Sequence, residues 1–197
     1  MQPVINSEEN SWRANTYRIL ARFLSAPADK TLLALLSGIE KETEFENRPL
    51  ARAWNQLAFV AEDADSESVS DEFHALFIGV SRGELLPYGS YYQSGFLMEK
   101  PLALLREDLQ ILGFQRRQET HEPEDHVSAL CEVMSLLINE GDPRQTDFFE
   151  SHIASWISQF FNDLEQAESA DFYKSVARMG TAFFIFEKTF LLTTAHV

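Results

Sequence analysis

Residues 121–126 read His-Glu-Pro-Glu-Asp-His, and an apolar run follows them directly. Histidine and carboxylate side chains are the usual groups for acid/base catalysis and for binding zinc. A zinc-protease helix needs histidines four residues apart, whereas His121 and His126 are five apart, about 140° around a helix. Glu122 with His126, or His121 with Asp125, has an i, i+4 spacing, but two ligands leave a zinc site incomplete. We therefore predict no metal site.

Patterns for other kinds of catalysis are missing from the sequence. It contains one cysteine, Cys131, on the apolar stripe of the helix that follows residues 121–126, so we interpret it as a buried hydrophobic residue. No G-x-S-x-G motif supplies a serine nucleophile, and neither glycine-rich phosphate-binding spacing occurs. We predict that the protein has no catalytic residues and is not an enzyme.

A helix start can explain part of residues 122–126, hereafter the EPEDH segment. Pro123 suits the first position of a helix, and Glu124 and Asp125 would place negative charge at its positive end, worth about 0.3–1 kcal/mol each. We therefore predict a helix that begins at Pro123. A helix start does not require His126, which borders the apolar stripe, so Asp125 and His126 remain candidates for function.

The elements around this segment are predicted to be helical, because apolar residues recur at helical spacing along almost the whole chain. Pro101 and Gly113 suit the beginning and end of one helix, and residues 147–167 and 169–192 suit two long amphipathic helices. The sequence predicts an all-α single-domain bundle of about eight helices over residues 1–197, with residues 1–10 flexible.

Residues 79–95, hereafter the Tyr-rich loop, interrupt the helical pattern. They hold four glycines, one proline, three serines and three tyrosines. Loops of this length are uncommon in a compact domain and are often functional, although a plain surface crossover is the alternative. The apolar and aromatic residues are too many for a merely solvated loop, so we favour a functional one.

The charge of the chain limits its partners. There are 31 Asp and Glu against 16 Lys and Arg, which gives a net charge of −15. Such a field repels nucleic acid and anionic lipid and favours a basic peptide. The most apolar stretch is interrupted by Glu187 and Lys188, and the N-terminus has no secretory pattern. We predict a cytoplasmic protein without stable membrane insertion.

Three motifs carry a resemblance to a known family. The sequence Phe-His-Ala-Leu-Phe-Ile-Gly spans residues 73–79, Pro-Tyr-Gly-Ser-Tyr-Tyr spans residues 87–92, and the EPEDH segment follows. In this order they resemble the TorD/DmsD/NarJ family of cytoplasmic chaperones that mature molybdenum-containing redox enzymes. The likeness covers roughly Trp12 to Leu192.

The resemblance implies a dedicated chaperone for an enzyme of the DMSO or TMAO reductase type. It would bind the twin-arginine signal peptide and the apo-form of the catalytic subunit, prevent premature export, and assist cofactor insertion. It would hold no cofactor of its own, because the molybdenum cofactor belongs to the client. The implied peptide-binding residues are Phe73, Leu76, Phe77, Gly79, Pro87, Tyr88, Ser90, Tyr91, Glu122, Pro123, Asp125 and His126.

Structural roles compete with binding roles at several of these positions. Leu76 and Phe77 have the spacing of core residues, and Tyr88 and Tyr91 could serve only to pin the loop. For Asp125 we predict contact with a guanidinium, which His126 would orient, while the signal peptide's apolar segment lies against the aromatic residues.

Two other functions and two oligomeric states stay open. The protein could bind or hydrolyse guanine nucleotide weakly, as the family resemblance suggests, although no phosphate-binding loop is present. It could instead be a general helical interaction module that ignores isolated signal peptides. A monomer and a domain-swapped dimer are both compatible with the Tyr-rich loop, which could act as a hinge.

Overall fold

The computed structural model describes residues 7–39, 48–80, 82–115 and 122–194. His121 and residues 1–6, on which part of the predictions fell, lie outside these ranges. Residues 7–10 form the first turn of a helix, and the flexibility predicted for residues 1–10 stays a prediction.

Helices account for most of the described chain, and no β-strand occurs within it, which confirms the all-α prediction. A single π-helical turn, His74–Ile78, follows the fourth helix. The α-helices are α1 Ser7–Ser25, α2 Lys30–Ser37, α3 Pro49–Glu62, α4 Ser66–Phe73, α5 Gly89–Ser94, α6 Lys100–Leu112, α7 Val127–Asn139, α8 Gln145–His152, α9 Ile157–Gln166 and α10 Phe172–Thr194.

Short polar caps and glycines set several helix ends. The side chain of Asp29 accepts from Leu32 N at 2.8 Å at the start of α2, and Asp65 accepts from Ser68 N at 2.9 Å at the start of α4. These bonds satisfy amides that have no partner within their own helix. Gly113 ends α6 in the left-handed conformation, with φ of 85°, as its position in the sequence predicted.

Two differences from the predicted elements explain why the described ranges hold more helices than the eight or so expected. Residues 147–167 do not form one helix: α8 ends at His152 and α9 begins at Ile157. At the break the indole N–H of Trp156 donates to His152 O at 2.7 Å, which satisfies a carbonyl at the helix end. The Tyr-rich loop is also shorter than predicted, because residues 89–94 form α5.

The chain separates into two compact units that alternate along the sequence. The first unit contains the described residues of Met1–Ala21, Pro87–Gln159 and Phe190–Val197. The second contains those of Arg22–Leu86 and Phe160–Thr189. The prediction of one domain over residues 1–197 stays a prediction.

The first unit has a core of buried side chains from α1, α6, α7 and α8, and Ile153, Trp156 and Ile157 between α8 and the start of α9 are buried as well. Cys131 on α7 is buried, as predicted, and burial raises the pKa of its thiol, which keeps the thiol neutral. Ser135 on the same helix donates to Ala14 O of α1 at 2.9 Å. The core of this unit therefore supports α7, the helix that follows the EPEDH segment.

The second unit is held by aromatic packing and by two glutamates that bind backbone amides. Glu72 accepts from the amides of Asp171, Phe172 and Tyr173 at 2.7–3.0 Å, where α10 begins. Glu84 accepts from two further amides, those of residues 168 and 169, at 2.6 and 3.0 Å. Glu72 thus satisfies unpaired N–H groups at the start of α10 and interacts favourably with the helix dipole, whereas Glu84 holds the turn that precedes this helix.

Candidate functional site

A short antiparallel pairing joins the Tyr-rich loop to the EPEDH segment in the first unit. Gly89 N donates to Asp125 O at 2.9 Å, and Val127 N donates to Pro87 O at 2.9 Å. These two bonds flank an isolated bridge between Tyr88 and His126. The pairing brings together two motifs that lie about 35 residues apart in sequence.

Asp125 fastens the start of α5. Its side chain is 3% exposed, and Oδ2 accepts from Ser90 N at 2.7 Å. The other oxygen, Oδ1, is also buried and makes no hydrogen bond with the residues that the structure describes. A buried carboxylate that accepts a hydrogen bond from a backbone N–H holds both groups in place. Neither group can bond to water there, so breaking this hydrogen bond would leave both unsatisfied.

His126 is the N-cap of α7, which corrects the predicted helix start at Pro123. Its backbone is extended, with φ of −61° and ψ of 135°, and Nδ1 accepts from Ser128 N at 3.1 Å. The Ser128 hydroxyl lies 2.7 Å from the same nitrogen. Because Asp125 is committed to Ser90, the imidazole supplies the capping acceptor that Ser, Thr, Asp or Asn usually provides.

The cap requires that the imidazole of His126 be neutral. Burial lowers the pKa of this histidine to about 4, although the nearby carboxylates of Glu122 and Asp125 act in the opposite direction. Nδ1 accepts from an amide, so the neutral ring carries its proton on Nε2. Protonation at Nδ1 would abolish the bond to Ser128 N.

Tyr88 connects both ends of the EPEDH segment. Its hydroxyl donates to Glu122 Oε2, and its ring meets that of His126 edge to face at 5.1 Å. Burial and the neighbouring Glu122 carboxylate raise the pKa of the Tyr88 phenol, so it remains a donor. Tyr88 thus pins the Tyr-rich loop, which is one of the two roles predicted for it.

Trp156 supports α5 from the other side and was missed in the sequence. The ring of Tyr92 stacks on it at 5.5 Å, and a Cβ on Gly89 would lie 3.3 Å from the indole. Tyr91 is half-buried and contacts Tyr92 edge to face at 5.6 Å. In the sequence Trp156 was only one residue of the amphipathic helix predicted over residues 147–167. The large aromatic side chain was the one feature that could have indicated its packing against α5.

The remaining members of the EPEDH segment make a turn and an ion pair. Pro123 is half-buried, and its carbonyl accepts from His126 N at 3.1 Å. Glu124 pairs with Arg106 of α6, whose Nε and Nη2 lie 2.9 and 2.8 Å from Oε2. Glu124 therefore links the segment to α6, rather than lying in the first turn of a helix as predicted.

The motif of residues 73–79 lies in the second unit. Phe73 and Leu76 are buried, and the rings of Phe73 and Phe77 pack on Tyr173 at 6.2 and 5.7 Å. Gly79 follows the π-helical turn with φ of 61° and ψ of −178°, a conformation almost restricted to glycine. A Cβ at Gly79 would lie 1.9 Å from the carbonyl oxygen of Arg82.

The predicted peptide-binding residues thus fall into two groups. The structure brings one group together in the first unit, namely Pro87, Tyr88, Ser90, Tyr91, Glu122, Pro123, Asp125 and His126. Phe73, Leu76, Phe77 and Gly79 belong to the second unit. Leu76 is buried there and Phe77 packs on Tyr173, which are the core contacts that were their alternative interpretation. Their role in peptide binding stays a prediction.

The described ranges contain neither a metal-binding cluster nor a membrane-spanning helix. Within them no group of three or more His, Cys, Asp or Glu side chains is arranged to hold a metal ion. Every helix in the same ranges falls short of the length and apolar character needed to cross a bilayer.

Comparisons with known proteins give consistent matches. The family model described as nitrate reductase delta subunit matches residues 44–162. The chain is 30% identical to the chaperone protein TorD of Vibrio cholerae over 177 residues, which cover 83% of this chain and 79% of that one. It is 26% identical to a Tat proofreading chaperone, DmsD, of Haemophilus influenzae, with 80% of each chain covered.

One solved structure has the same fold. It is the crystal structure of a redox enzyme maturation protein from Archaeoglobus fulgidus, with a TM-score of 0.59 and 22% sequence identity. The match covers 89% of this chain and 93% of that one. At this level of identity the likeness concerns the fold alone.

Proposed function

Because this chain belongs to the nitrate reductase delta subunit family, the TorD/DmsD/NarJ group of redox-enzyme maturation chaperones, we propose that it serves a molybdenum-containing reductase as a dedicated chaperone. It binds the twin-arginine signal peptide of the apo-form catalytic subunit in the cytoplasm. Binding delays export until the subunit has folded and received its molybdenum cofactor. That cofactor belongs to the client.

The observation that supports this proposal most strongly is the likeness to TorD over 83% of the chain. The charge supports it independently, since a net charge of −15 attracts a peptide that carries two arginines. Helical surfaces with exposed apolar side chains suit the apolar segment that follows the arginines in such a peptide.

The EPEDH segment and α5 form the framework of the proposed binding region. Asp125 and His126 fix the start of α5 and the start of α7, and Tyr88 joins them through Glu122 and the His126 ring. Loss of either anchor releases the Tyr-rich loop. We therefore expect Asp125→Ala and His126→Ala to weaken binding even where the peptide touches neither side chain.

The direct test is a titration of purified protein with a fluorescently labelled signal peptide that contains the Arg-Arg pair. We expect saturable binding that weakens as ionic strength rises, since salt screens contacts between arginine and carboxylate. A peptide with Lys-Lys in place of Arg-Arg keeps the charge but loses bidentate pairing, so it should bind less tightly.

The opposite outcome is equally clear. If the protein ignores every twin-arginine peptide offered but captures a folded reductase from anaerobic lysate, it is a general interaction module and the proposal fails. Asp125→Ala and His126→Ala variants that fold and bind the peptide as tightly as the unmodified protein would remove the EPEDH segment from the mechanism.

A further inference from the structure

The carboxylates of the EPEDH segment all have partners within the protein. Asp125 is buried against the start of α5, Glu124 pairs with Arg106, and Glu122 accepts from Tyr88. A signal-peptide arginine that bound any of them would have to displace an existing contact. Exposed carboxylates that line a cleft beside apolar surface, even where one oxygen already has a partner, are therefore further candidates for the first contact with the arginine pair.

An open cleft of about 280 Å³ in the first unit offers such carboxylates. It lies between α5, α6 and the end of α8, and its lining includes Gln93, Leu104, Glu107, Asp108 and His152. The volume is just below the roughly 300–1,000 Å³ typical of sites for whole small-molecule ligands, so it suits one side chain of a longer peptide.

Asp108 lines the cleft, and a contact with His152 holds its carboxylate in place. Its Oδ2 lies 2.7 Å from Nε2 of His152, a side chain that is only 7% exposed, while Asp108 itself is 48% exposed. Glu107 beside it is exposed. Lys100 also lines the cleft, but it lies seven residues before Glu107, about 10 Å along the axis of α6.

Apolar side chains surround these two acids. Leu104 and Ile111, four residues before Asp108 and four after Glu107, are 47% and 73% exposed on the same face of α6. In the connection from α5 to α6, Phe96, Leu97 and Met98 are also exposed. Met98 N donates to Ser90 Oγ at 3.2 Å, which ties this connection to the start of α5.

We propose that this cleft binds a signal-peptide arginine through Asp108 and Glu107, and that Phe96, Leu97 and Met98 contact the apolar segment of the same peptide. The inference rests on the proposed function and identifies a peptide-binding surface within it. In the peptide, an arginine lies beside an apolar segment. In the protein, the acids of α6 lie beside the exposed apolar residues of the preceding connection, so charge and hydrophobicity are complementary.

The EPEDH segment then has a positioning role. Asp125 binds Ser90 of α5, and Glu124 binds Arg106 of α6, so two of the three helices that border the cleft are attached to this segment. Substitutions in the segment would shift the borders of the cleft without removing a contact to the peptide.

The test compares two double variants in the full chain by fluorescence anisotropy with a labelled twin-arginine signal peptide. Glu107→Gln with Asp108→Asn should raise Kd about tenfold or more, because hydrogen bonds between charged groups are lost. The control, Glu132→Gln with Glu140→Gln, changes the net charge equally at exposed positions on α7 and at its end, and should change Kd less than about twofold.

A peptide with Lys-Lys in place of Arg-Arg makes the test specific. The affinity difference between the Arg-Arg and Lys-Lys peptides should shrink in the Glu107→Gln, Asp108→Asn variant and persist in the control, as in a double-mutant cycle. A separate variant, Phe96→Ser with Met98→Ser, should weaken binding of the whole signal peptide but not of a version truncated after its arginines.

The outcomes separate the two proposals. If the unmodified protein binds no signal peptide, the proposed function fails. If it binds, but the Glu107→Gln, Asp108→Asn variant matches the control and retains the preference for Arg-Arg, the cleft is not the arginine site. An unchanged affinity in the Phe96→Ser, Met98→Ser variant would remove the apolar contact, and this variant stays informative if the charge variant folds poorly.

Discussion

The EPEDH segment and the motif of residues 73–79 both carried the resemblance drawn from the sequence, yet different interactions hold them in place. Polar side chains hold the EPEDH segment: Asp125 binds an amide of α5 and His126 caps α7. Backbone geometry and ring packing hold the other motif, through the π-helical turn, Gly79 and Tyr173. The first segment should therefore respond to pH and to polar substitution, and the second to added volume.

The largest expected effect is steric and falls on the second motif. Gly79→Ala places a Cβ 1.9 Å from Arg82 O at a φ of 61°, so we expect a loss of about 4 kcal/mol in the free energy of unfolding. Gly113→Ala is the matched control, since its φ of 85° is also positive but no described atom lies within 4 Å of the added Cβ. It should cost about 1–2 kcal/mol in urea denaturation, and equal losses would contradict the steric argument.

The next effect is the pH dependence that His126 gives to the first motif. Its folded pKa of about 4 lies below the ordinary value of 6.5, so the unfolded chain binds an extra proton between these values. Stability should fall by about 3 kcal/mol as pH decreases from 6.5 through 4. His126→Asn keeps a capping acceptor and cannot titrate, so its denaturation midpoints should depend less on pH.

A smaller effect is expected at Asp125. Asp125→Ala leaves the buried Ser90 amide without its acceptor, which should cost about 2 kcal/mol. Asp125→Asn keeps an oxygen in place and should stay within about 1 kcal/mol of the unmodified protein in thermal and urea denaturation. A large loss in both variants would show that the charge of Asp125, and not its acceptor oxygen, holds α5.

The smallest effect concerns Tyr88. Tyr88→Phe removes the hydroxyl that donates to the exposed Glu122 but keeps the ring against His126, so we expect a loss of about 1 kcal/mol. Glu122→Gln retains an acceptor and should cost less. If Tyr88→Phe were as harmful as Asp125→Ala, the loop would depend on the hydroxyl more than on the buried carboxylate.

Helical periodicity predicted the all-α class and the ends of α6 because those features depend on local spacing and local caps. The start of α7 was predicted wrongly at Pro123, since the usual cap residue, Asp125, is committed to Ser90, and His126 replaces it. The contact between Asp125 and Ser90 is tertiary, so local sequence does not show that His126 is the cap.

The formation of α5 also depends on tertiary contacts that the sequence does not reveal. Glycine is a poor helix former, so residues 89–94 looked like loop, yet Trp156 packs against Gly89 and Asp125 binds the next amide. Of the candidate site, the motif residues were predicted, but the division between the two units was not. Trp156 and the acids of the cleft, Glu107 and Asp108, looked in the sequence like ordinary helix residues.

The alternation of the two units along the chain has a consequence for biosynthesis. Glu72 and Glu84 meet their amide partners about 84 to 101 residues later, in the turn before α10 and at its start, and α10 continues into the first unit. Neither unit can be completed until that helix has left the ribosome. A nascent chain therefore exposes apolar surface of both units through most of its translation, and both units are completed only when α10 has emerged.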